Sequence, residues 1–387
     1  MPASPSTARA INDRIALQLL QQEGPLTALQ LKTMTGLSRP TVADLVERLQ
    51  GSGLIQVVGE AGAQRRGPNA RVYGIVADRA HLAALDVRTQ SVTVVVADLL
   101  GVTLAEASLP IDGDTGTEPA VEQAAALLER TAREAGAARL HSVGIGAPGL
   151  IDPVSGELRD TTGLPAWHRS LVAALQERLP ARVIVENETN LAAVAEKRLG
   201  AAADRDTFVF LWLGHGVGAA LFLDGRLRRG ASGGAGEIGF LPVPGTKGVP
   251  SAVDCEGGFH SLAGSAAICA LAARHGIEAD RPEDPAAAAL VREAVASGHG
   301  GFLDDLAHRL SLGVAAVAAV LDPGCVVLGG EVGHAGGAEL AAGVEMRLAA
   351  LSPLRTEVRA GKLGGAGVLS GALITAREAA QDDLFAG

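Results

Sequence analysis

The segment LTALQLKTMTGLSRPTVADLVERLQG, residues 26–51, contains two helix start signals separated by a turn. Thr27 and Gln30 have the spacing of a capping box, in which two residues satisfy each other's free backbone N–H groups at a helix start. Ser38 is a favourable N-cap residue, and Pro40 fits the first helical turn because an N–H is not needed there. The segment therefore predicts two short helices joined by a glycine-containing turn.

The flanking residues add a helix before this pair and two strands after it. Ile11, Ile15 and Leu19 recur every four residues, which predicts an amphipathic first helix. Apolar runs at residues 54–58 and 71–76 are separated by a polar loop, which is typical of a β-hairpin. Three helices followed by such a hairpin form the winged helix-turn-helix layout, whose third helix enters the major groove of DNA.

The predicted DNA contacts lie at the start of the third helix and on the wing. Arg39 can pair with guanine, and short hydroxyl side chains beside it can bind phosphates or base edges. Arg48 also follows Asp44 by four residues, so it is either a DNA contact or the partner of an intrahelical ion pair. The predicted DNA-binding residues are Ser38, Arg39, Thr41, Arg48, Arg65 and Arg66.

Charge is distributed unevenly along the 387 residues. Residues 1–75 contain eight basic and five acidic side chains, whereas the rest contains 25 basic and 38 acidic ones. A basic head on an acidic body predicts two different partners. Three cysteines are too few for a disulfide scaffold, the N-terminus lacks a signal peptide, and no apolar stretch reaches the roughly 20 residues that span a bilayer. We therefore expect a cytoplasmic protein with no membrane partner.

The body alternates strand-like runs with alanine-rich stretches, which is typical of an α/β fold. A strand, a turn and a second strand occur at residues 85–101 and again at 209–225, which predicts two similar lobes with a cleft between them. Polar side chains at strand ends can bind sugar hydroxyls, because pockets form at such ends. Glu188 and Glu237 equally fit the role of ordinary acids at helix starts.

The ordered set of motifs in the body resembles the ROK family of bacterial sugar kinases and sugar-responsive repressors. The matching segments are residues 143–149, 186–190, 214–218, 224–225, 233–239, 321–323 and 328–330. The resemblance implies a bilobal actin-like, ribonuclease-H-like α/β domain that forms a homo-oligomer. The family's repressor branch carries an N-terminal winged helix-turn-helix, as this chain does.

This resemblance also implies domain boundaries and a ligand site. We expect the winged helix-turn-helix in residues 1–75, a first α/β lobe in 76–195 and a second in 196–387, with the last helix returning to the first lobe. His260 stands where the family has a sugar-binding glutamate. The predicted ligand-binding residues are Pro148, Gly149, Asn187, Glu188, Glu237 and His260.

Two departures from the family pattern bear on catalysis and metal binding. Family kinases open their body with Asp-Ile-Gly-Gly-Thr, whose amides hold ATP phosphates, whereas this chain has DVRTQ at 86–90. Glu188 replaces the aspartate expected to act as base. The family's zinc site is reduced to Cys255, with Asp254 and His260 as the remaining candidate ligands, and a buried apolar role is favoured for the thiol. We expect no kinase activity, no metal and no cofactor.

The sequence thus predicts a non-enzymatic regulator of carbohydrate genes, a repressor that forms a homodimer or homotetramer. Its partners would be a pseudo-palindromic double-stranded DNA operator and a small sugar-like effector in the cleft. Two alternatives stay open at this point. One is an ATP-dependent sugar kinase with a DNA-binding appendage, and the other is a regulator with an empty pocket that responds only to a partner protein.

Overall fold

The computed structural model describes residues 5–61, 70–159, 165–251, 256–279 and 285–385. Three helices and a small antiparallel sheet form the N-terminal head. The strand order of this sheet is β1-β3-β2. The elements of the head are α1 (Pro5–Glu23), β1 (Leu26–Thr27), α2 (Ala28–Thr35), α3 (Arg39–Gly51), β2 (Ile55–Ala61) and β3 (Ala70–Ile75). The predicted three helices and hairpin are confirmed, and β1 is an additional strand.

Local side-chain contacts explain where the head's helices begin and end. The Gln30 amide donates to Thr27 Oγ1 at 3.3 Å, and the Thr27 amide donates to Gln30 Oε1 at 2.9 Å, which completes the predicted capping box. Gly36 ends α2 with φ of 69°, a conformation that glycine adopts without steric cost. Ser38 then caps α3 by accepting a hydrogen bond from the Thr41 amide.

The buried face of α1 differs from the predicted one. Ile11 is 50% exposed and Ile15 is 40% exposed, whereas Leu17 and Leu20 are buried. The residues share a helix whose apolar positions form two adjacent stripes, and only one stripe can face the rest of the head. The stripe that contains Leu17 packs into the core of the head, so the isoleucine pattern predicted the helix correctly but its inward face wrongly.

The first lobe is built on a five-stranded sheet of order β6-β5-β4-β7-β8. Strands β4, β7 and β8 are parallel, whereas β5 and β6 continue from β4 as an antiparallel meander. The elements are β4 (His81–Arg88), β5 (Ser91–Asp98), β6 (Thr103–Pro110), α4 (Thr117–Glu134), β7 (Leu140–Ala147), α5 (Ala166–Arg178), β8 (Arg182–Asn187) and α6 (Glu188–Leu199). A 3-10 turn at Ala77–Arg79 connects the head to this lobe.

The second lobe repeats the same strand arrangement in the order β11-β10-β9-β12-β13. Each lobe therefore has a central strand flanked by an antiparallel meander on one side and two parallel strands on the other. The repeated strand pattern predicted two similar lobes, but not this strand order. The elements are β9 (Phe208–Leu213), β10 (Val217–Leu223), β11 (Arg226–Arg228), α7 (His260–Ala263), α8 (Ser265–Arg274), α9 (Ala286–Ala296), α10 (Gly300–Leu321), β12 (Cys325–Gly329), α11 (Gly330–Leu351) and β13 (Glu357–Ala360). Further 3-10 turns lie at Ile238–Phe240 and Gly364–Ala366.

The last helix, α12 (Gly367–Phe385), crosses back to the first lobe and continues to the head. It packs on β4, β7 and α6, and the Ser142 hydroxyl donates to the Ala376 carbonyl at 2.8 Å. Its C-terminal half shares a core with the head, in which Phe385 is buried, and Arg14 of α1 forms an ion pair with Asp382. None of the helices described is long and apolar enough to cross a bilayer.

Candidate functional site

The start of α3 carries the predicted base-reading side chains on the surface of the head. Ser38 and Arg39 are exposed and Thr41 is half-buried. The hydroxyls of Ser38 and Thr41 lie 2.7 Å apart, so each is partly engaged by the other. The Arg39 guanidinium makes no hydrogen bond or ion pair with any residue that the structure describes, and it can therefore bind an external acceptor.

Arg48, also predicted to contact DNA, is instead engaged within the head. Its guanidinium donates to both carboxylate oxygens of Asp13 on α1, at 2.6 and 3.3 Å, and pairs with Asp44 on α3. The hydrogen bonds that Arg48 donates to Asp13 are the main cause that raises the pKa of Arg48. Arg48 thus joins two helices, which is the ion-pair alternative weighed from the sequence, and we no longer assign it to DNA. Arg65 and Arg66 lie outside the described residues.

In the body, the ends of β7 and β8 bring Gly149 and Asn187 together. Asn187 Nδ2 donates to the Gly149 carbonyl at 2.9 Å, and Asn187 Oδ1 accepts from the Thr189 amide at 2.9 Å and from the Asn190 amide at 3.4 Å. Gly149 follows Pro148 in the turn after β7 and has φ of 102°, which favours glycine. Asn187 therefore caps α6 and fixes the turn at the cleft, so its carboxamide has a structural role besides any contact with a ligand.

Glu186 is a buried member of the same motif that sequence reasoning did not single out. Its Oε1 accepts from the Asn187 amide and from Asn190 Nδ2, both at 2.9 Å, and its Oε2 accepts from Arg229 Nε at 2.5 Å. Arg229 follows β11 in the second lobe, so this ion pair connects the two lobes. Glu186 orders the polar end of β8. Its position immediately before Asn187 was the sequence signal that could have identified it as a site residue.

Arg88 forms a second connection between the lobes. Its Nε donates to Asp86 Oδ2 at 2.9 Å, one terminal nitrogen donates to Glu331 Oε1 at 2.6 Å, and the other donates to the Gly365 carbonyl at 3.2 Å. Glu331 belongs to the first turn of α11 in the second lobe. Burial opposes the charge of Arg88, but Asp86 and Glu331 together raise its pKa. The guanidinium is thus permanently charged and all its nitrogens have acceptors.

The carboxylates around Arg88 are largely buried and make its surroundings negatively charged. Asp86 is 5% exposed, its Oδ1 atom has no partner within the described residues, and burial raises its pKa. His168 Nε2 lies 3.2 Å from the Arg88 carbonyl, and burial lowers the pKa of this histidine to about 4. A neutral His168 with its proton on Nε2 therefore donates to that carbonyl and holds the turn after β4 in place.

Glu188 begins α6 and lies within electrostatic range of this group. The pKa of Glu188 is raised to about 7, chiefly by burial and also by the carboxylates of Asp86 and Glu331, while the charge of Arg88 opposes this rise. The carboxylate makes no hydrogen bond with any residue that the structure describes. Its oxygens therefore remain available to a ligand at this end of the cleft.

Glu237 and His260 lie on the second lobe. Glu237 precedes the 3-10 turn 238–240, and burial raises the pKa of its carboxyl. His260 packs against this turn, since a Cβ on Gly239 would lie 3.6 Å from the His260 Cβ. The loop before Glu237 touches the first lobe at Gly233, where a Cβ would lie 1.9 Å from the Ile151 carbonyl oxygen. Glycine allows this approach, which brings the Glu237 loop to the Gly149 side of the cleft.

Metal binding finds no support in the part of the chain that is described. Within it, no group of three or more histidine, cysteine, aspartate or glutamate side chains could hold a metal ion. Asp254 and Cys255, two of the three candidate ligands, lie outside the described residues, so the expected absence of metal stays a prediction. Of the other cysteines, Cys325 is buried and Cys269 is partly buried.

Comparisons with known proteins agree with this architecture. The ROK family model matches residues 82–379, and a model of winged helix-turn-helix DNA-binding domains matches residues 9–56. The DNA-binding transcriptional dual regulator NagC of Escherichia coli K12 is 27% identical over 243 residues, which are 61% of this chain and 58% of NagC.

Two solved structures extend the likeness. A ROK family transcriptional regulator, a homolog of the E. coli MLC protein, gives a TM-score of 0.76 at 21% identity over 98% of both chains. The ROK hexokinase from Thermus thermophilus gives 0.62 at 28% identity over 78% of this chain and 99% of that chain. The first likeness includes the head, whereas the second leaves about a fifth of this chain unmatched. The chain therefore belongs to the ROK family, with a winged helix-turn-helix ahead of the bilobal domain.

Proposed function

We propose that this ROK protein is a sequence-specific DNA-binding transcriptional regulator that represses carbohydrate genes and responds to a small sugar-like effector in the cleft. The head supplies the DNA-binding surface, in which Arg39 is exposed and has no partner among the residues that the structure describes. The likeness to NagC supports the regulatory role. We also propose the domain limits 1–75, 76–195 and 196–387.

The main evidence for this proposal is that the turn after β4 is unsuited to hold nucleotide phosphates. Nucleotide phosphates need free backbone amides or unengaged cations, because phosphoryl transfer depends on positioning and charge stabilisation. Here each nitrogen of the Arg88 guanidinium already donates to an internal acceptor, on Asp86, Glu331 or Gly365, and its charge is compensated by the two carboxylates. The carboxylates of Asp86 and Glu331 would repel a triphosphate. We infer that the cleft has lost the ability to hold ATP.

The symmetry of the operator should match the symmetry of the protein assembly. We propose a homodimer, or a tetramer made of two such dimers, that places two heads on a pseudo-palindrome. The centres of the two half-sites would then lie about 34 Å apart, one turn of DNA, or a multiple of that distance. The wing that contains Arg65 and Arg66 would reach the phosphates or the minor groove beside each half-site.

Regulation requires that the effector prefers one arrangement of the lobes. A ligand shifts the equilibrium only by the difference between its affinities for the two states. We propose that the effector contacts Pro148, Gly149, Asn187 and Glu188 of the first lobe and Glu237 and His260 of the second. A ligand that contacts both sets would favour one lobe spacing, and α12 connects this region to the head. Coupling of about 1–3 kcal/mol is typical for such systems.

A sugar kinase is the second candidate, and one specific observation favours it. The pKa of Glu188 is raised to about 7, which suits a general base that accepts a proton from a sugar hydroxyl near neutral pH. The likeness to a ROK hexokinase points the same way. Glu188 alone cannot transfer a phosphoryl group, however, unless ATP is held nearby.

One preparation of the full chain distinguishes the two candidates. DNA fragments that the protein captures from genomic DNA supply an operator for gel-shift titration, with sugars then added to release it. A coupled assay measures ADP formation with ATP and the same sugars. We expect specific DNA binding, sugar-dependent release and no sugar-dependent ATP turnover. Turnover that requires sugar would overturn the regulator assignment. Specific DNA binding with flat calorimetric titrations of every sugar would instead favour a regulator that answers to a partner protein.

A further inference from the structure

A polar cavity lies between α1 of the head and α12, with a further wall from the end of α6. Its volume is about 330 Å³, at the lower end of the range of about 300–1,000 Å³ that is typical of small-molecule sites. Phe385 is the one apolar side chain among the described residues that line it, and the others are arginine, glutamine, glutamate and aspartate. Such a lining suits a hydrophilic occupant.

The three arginines of this cavity differ in how they are paired. Arg14 forms an ion pair with Asp382. Arg198 Nη2 donates to Glu378 Oε1 at 2.6 Å. Arg377 forms no ion pair with any residue that the structure describes. Three arginines and two carboxylates line the cavity, so one positive charge is left without a counter-ion, and it belongs to Arg377.

One edge of the Arg377 guanidinium has no hydrogen-bond partner in the described part of the chain. Its Nη1 donates to the Leu100 carbonyl at 3.2 Å, whereas Nε is buried and, like Nη2, donates to no acceptor there. Burial is the main cause that lowers the pKa of Arg377, and the charge of Glu378 opposes this only in part. The Nε–H and one Nη2–H of a guanidinium point the same way and match the two oxygens of a carboxylate.

Two glutamines bring further unpartnered groups to the same cavity. Gln21 Oε1 on α1 and Gln381 Nε2 on α12 are buried, and neither has a hydrogen-bond partner among the described residues. The first group accepts a hydrogen and the second donates one, and a hydroxyl group can serve both. Buried polar groups that lack a partner are costly, so these atoms favour an occupant that supplies hydrogen bonds.

We infer that this cavity is a second ligand site, which takes a sugar acid with one carboxylate and several hydroxyls. The carboxylate binds the Nε–Nη2 edge of Arg377, which a rotation of this side chain toward the cavity exposes. The hydroxyls bind Gln21 and Gln381. A phosphate ester fits less well, because it carries up to about two negative charges where one positive charge is free, and it would lie near Glu378 and Asp382.

The position of this site connects it to the head. Gln21 belongs to α1, whereas Arg377 and Gln381 belong to α12. A ligand that contacts both helices favours the arrangement in which they are packed together. Resting on the proposed regulatory function, we expect a bound sugar acid to change the affinity for the operator. The site shares no residue with the set proposed for the effector in the cleft.

The test begins with calorimetry on the full chain at neutral pH. The probes are gluconate, glucuronate and galacturonate, each compared with its neutral counterpart, which is sorbitol, glucose or galactose. Glucose 6-phosphate is the phosphate probe. We expect at least one acid to bind about tenfold or more tightly than its counterpart, since charge-assisted hydrogen bonds are markedly stronger than neutral ones. A panel in which no acid exceeds its counterpart would overturn the inference.

Three variants assign the binding to this cavity. Arg377→Gln should reduce the affinity for the acid to that for its neutral counterpart. Arg130→Gln, which removes an exposed arginine of α4, should bind the acid as the wild type does. Gln381→Leu breaks no hydrogen bond within the described residues and should weaken binding about fivefold.

Circular dichroism checks that each variant is folded. Full affinity for the acid in Arg377→Gln, or in Gln381→Leu if the first variant does not fold, would contradict the inference. Glucose 6-phosphate that binds more tightly than every acid, and loses this affinity in Arg377→Gln, would overturn the choice of a carboxylate.

Operator binding, measured on the same samples, separates this inference from the proposed function. A saturating sugar acid should change the operator affinity of the wild type by about fivefold or more and leave that of Arg377→Gln unchanged. Failure to bind any specific DNA would refute the regulatory proposal but not the ligand site. Acid binding that leaves the operator affinity unchanged would refute the connection to the head.

Discussion

Arg39 and Arg88 both stand at an end of a secondary-structure element, and they show two opposite uses of a guanidinium. Arg39 begins α3 on the surface of the head and has no partner in the described residues. Arg88 ends β4 inside the cleft, where its side chain is 30% exposed and all its nitrogens have acceptors. The charge of Arg39 is available to an external anion, whereas the charge of Arg88 is already compensated by two carboxylates. The comparison indicates that the internal partners of an arginine, more than its residue type, decide whether it recognises a ligand.

The largest expected effect comes from removing the internally bound arginine. Arg88→Ala leaves Asp86 and Glu331 without their shared cation, so it should lower the free energy of unfolding by about 3–5 kcal/mol. Urea denaturation followed by tryptophan fluorescence measures this, since Trp167 lies next to His168 and Trp212 lies next to Gly214.

The matched control is Arg347→Ala, which removes an exposed ion pair with Asp304 and should cost no more than about 1 kcal/mol. Arg39→Ala should leave stability within about 0.5 kcal/mol of the wild type. A loss in Arg88→Ala no greater than that of the Arg347 variant would mean that Arg88 does not join the lobes.

The next largest effect is expected on the affinity for operator DNA. Arg39→Ala should weaken specific operator binding by about 1–3 kcal/mol, roughly 5- to 150-fold, if this side chain reads a base. Gel-shift titration at fixed salt measures the change, and Arg347→Ala should bind as the wild type does. Arg48→Ala sharpens the contrast, because its partners Asp13 and Asp44 predict lower stability of the head rather than altered base preference. An unchanged affinity in Arg39→Ala would remove it from sequence readout.

The smallest effect is a pH dependence of stability at Glu188. The pKa of this carboxyl is raised to about 7 in the folded chain, so folding disfavours its ionised form. Wild-type stability should therefore fall as pH rises from the ordinary glutamate range to 7, and Glu188→Gln should escape this loss. We expect the variant's Tm to match the wild type at pH 4.5 and to exceed it by about 2–4 °C at pH 8. Equal Tm values at both pH values would indicate that Glu188 titrates normally.

Local signals explain why most of the head was predictable. The hydrogen bonds of Thr27, Gln30 and Ser38 join residues only three positions apart. Their spacing alone therefore predicts the helix starts that the structure shows. The orientation of α1 was not predictable in this way. Its Ile11 face and its Leu17 face are both apolar, and only contacts with distant parts of the chain select one.

Local sequence signals predict even less of the cleft. Asn187 and Glu188 were identified because they end a strand, which is a local property. Arg88 drew notice only as a position where glycine is missing, and Glu331 drew none, because their ion pair joins residues 243 positions apart. The Arg229–Glu186 pair likewise spans 43 positions. The spacing of residues in one sequence cannot predict ion pairs between such distant positions. The electrostatics of the cleft depend on these ion pairs.

Helix α12 has a mechanical consequence for the whole molecule. It begins immediately after the 3-10 turn that contacts Arg88 and ends with Phe385 buried beneath the DNA-binding head. At 1.5 Å per residue, its 19 residues form a rod about 28 Å long, so a tilt of about 5° at one end moves the other by about 2.5 Å. In the dimer that we propose, a displacement of that size in each subunit is comparable to the spacing between successive base pairs. A small rearrangement beside the proposed effector would then move the two recognition helices out of register with the proposed operator.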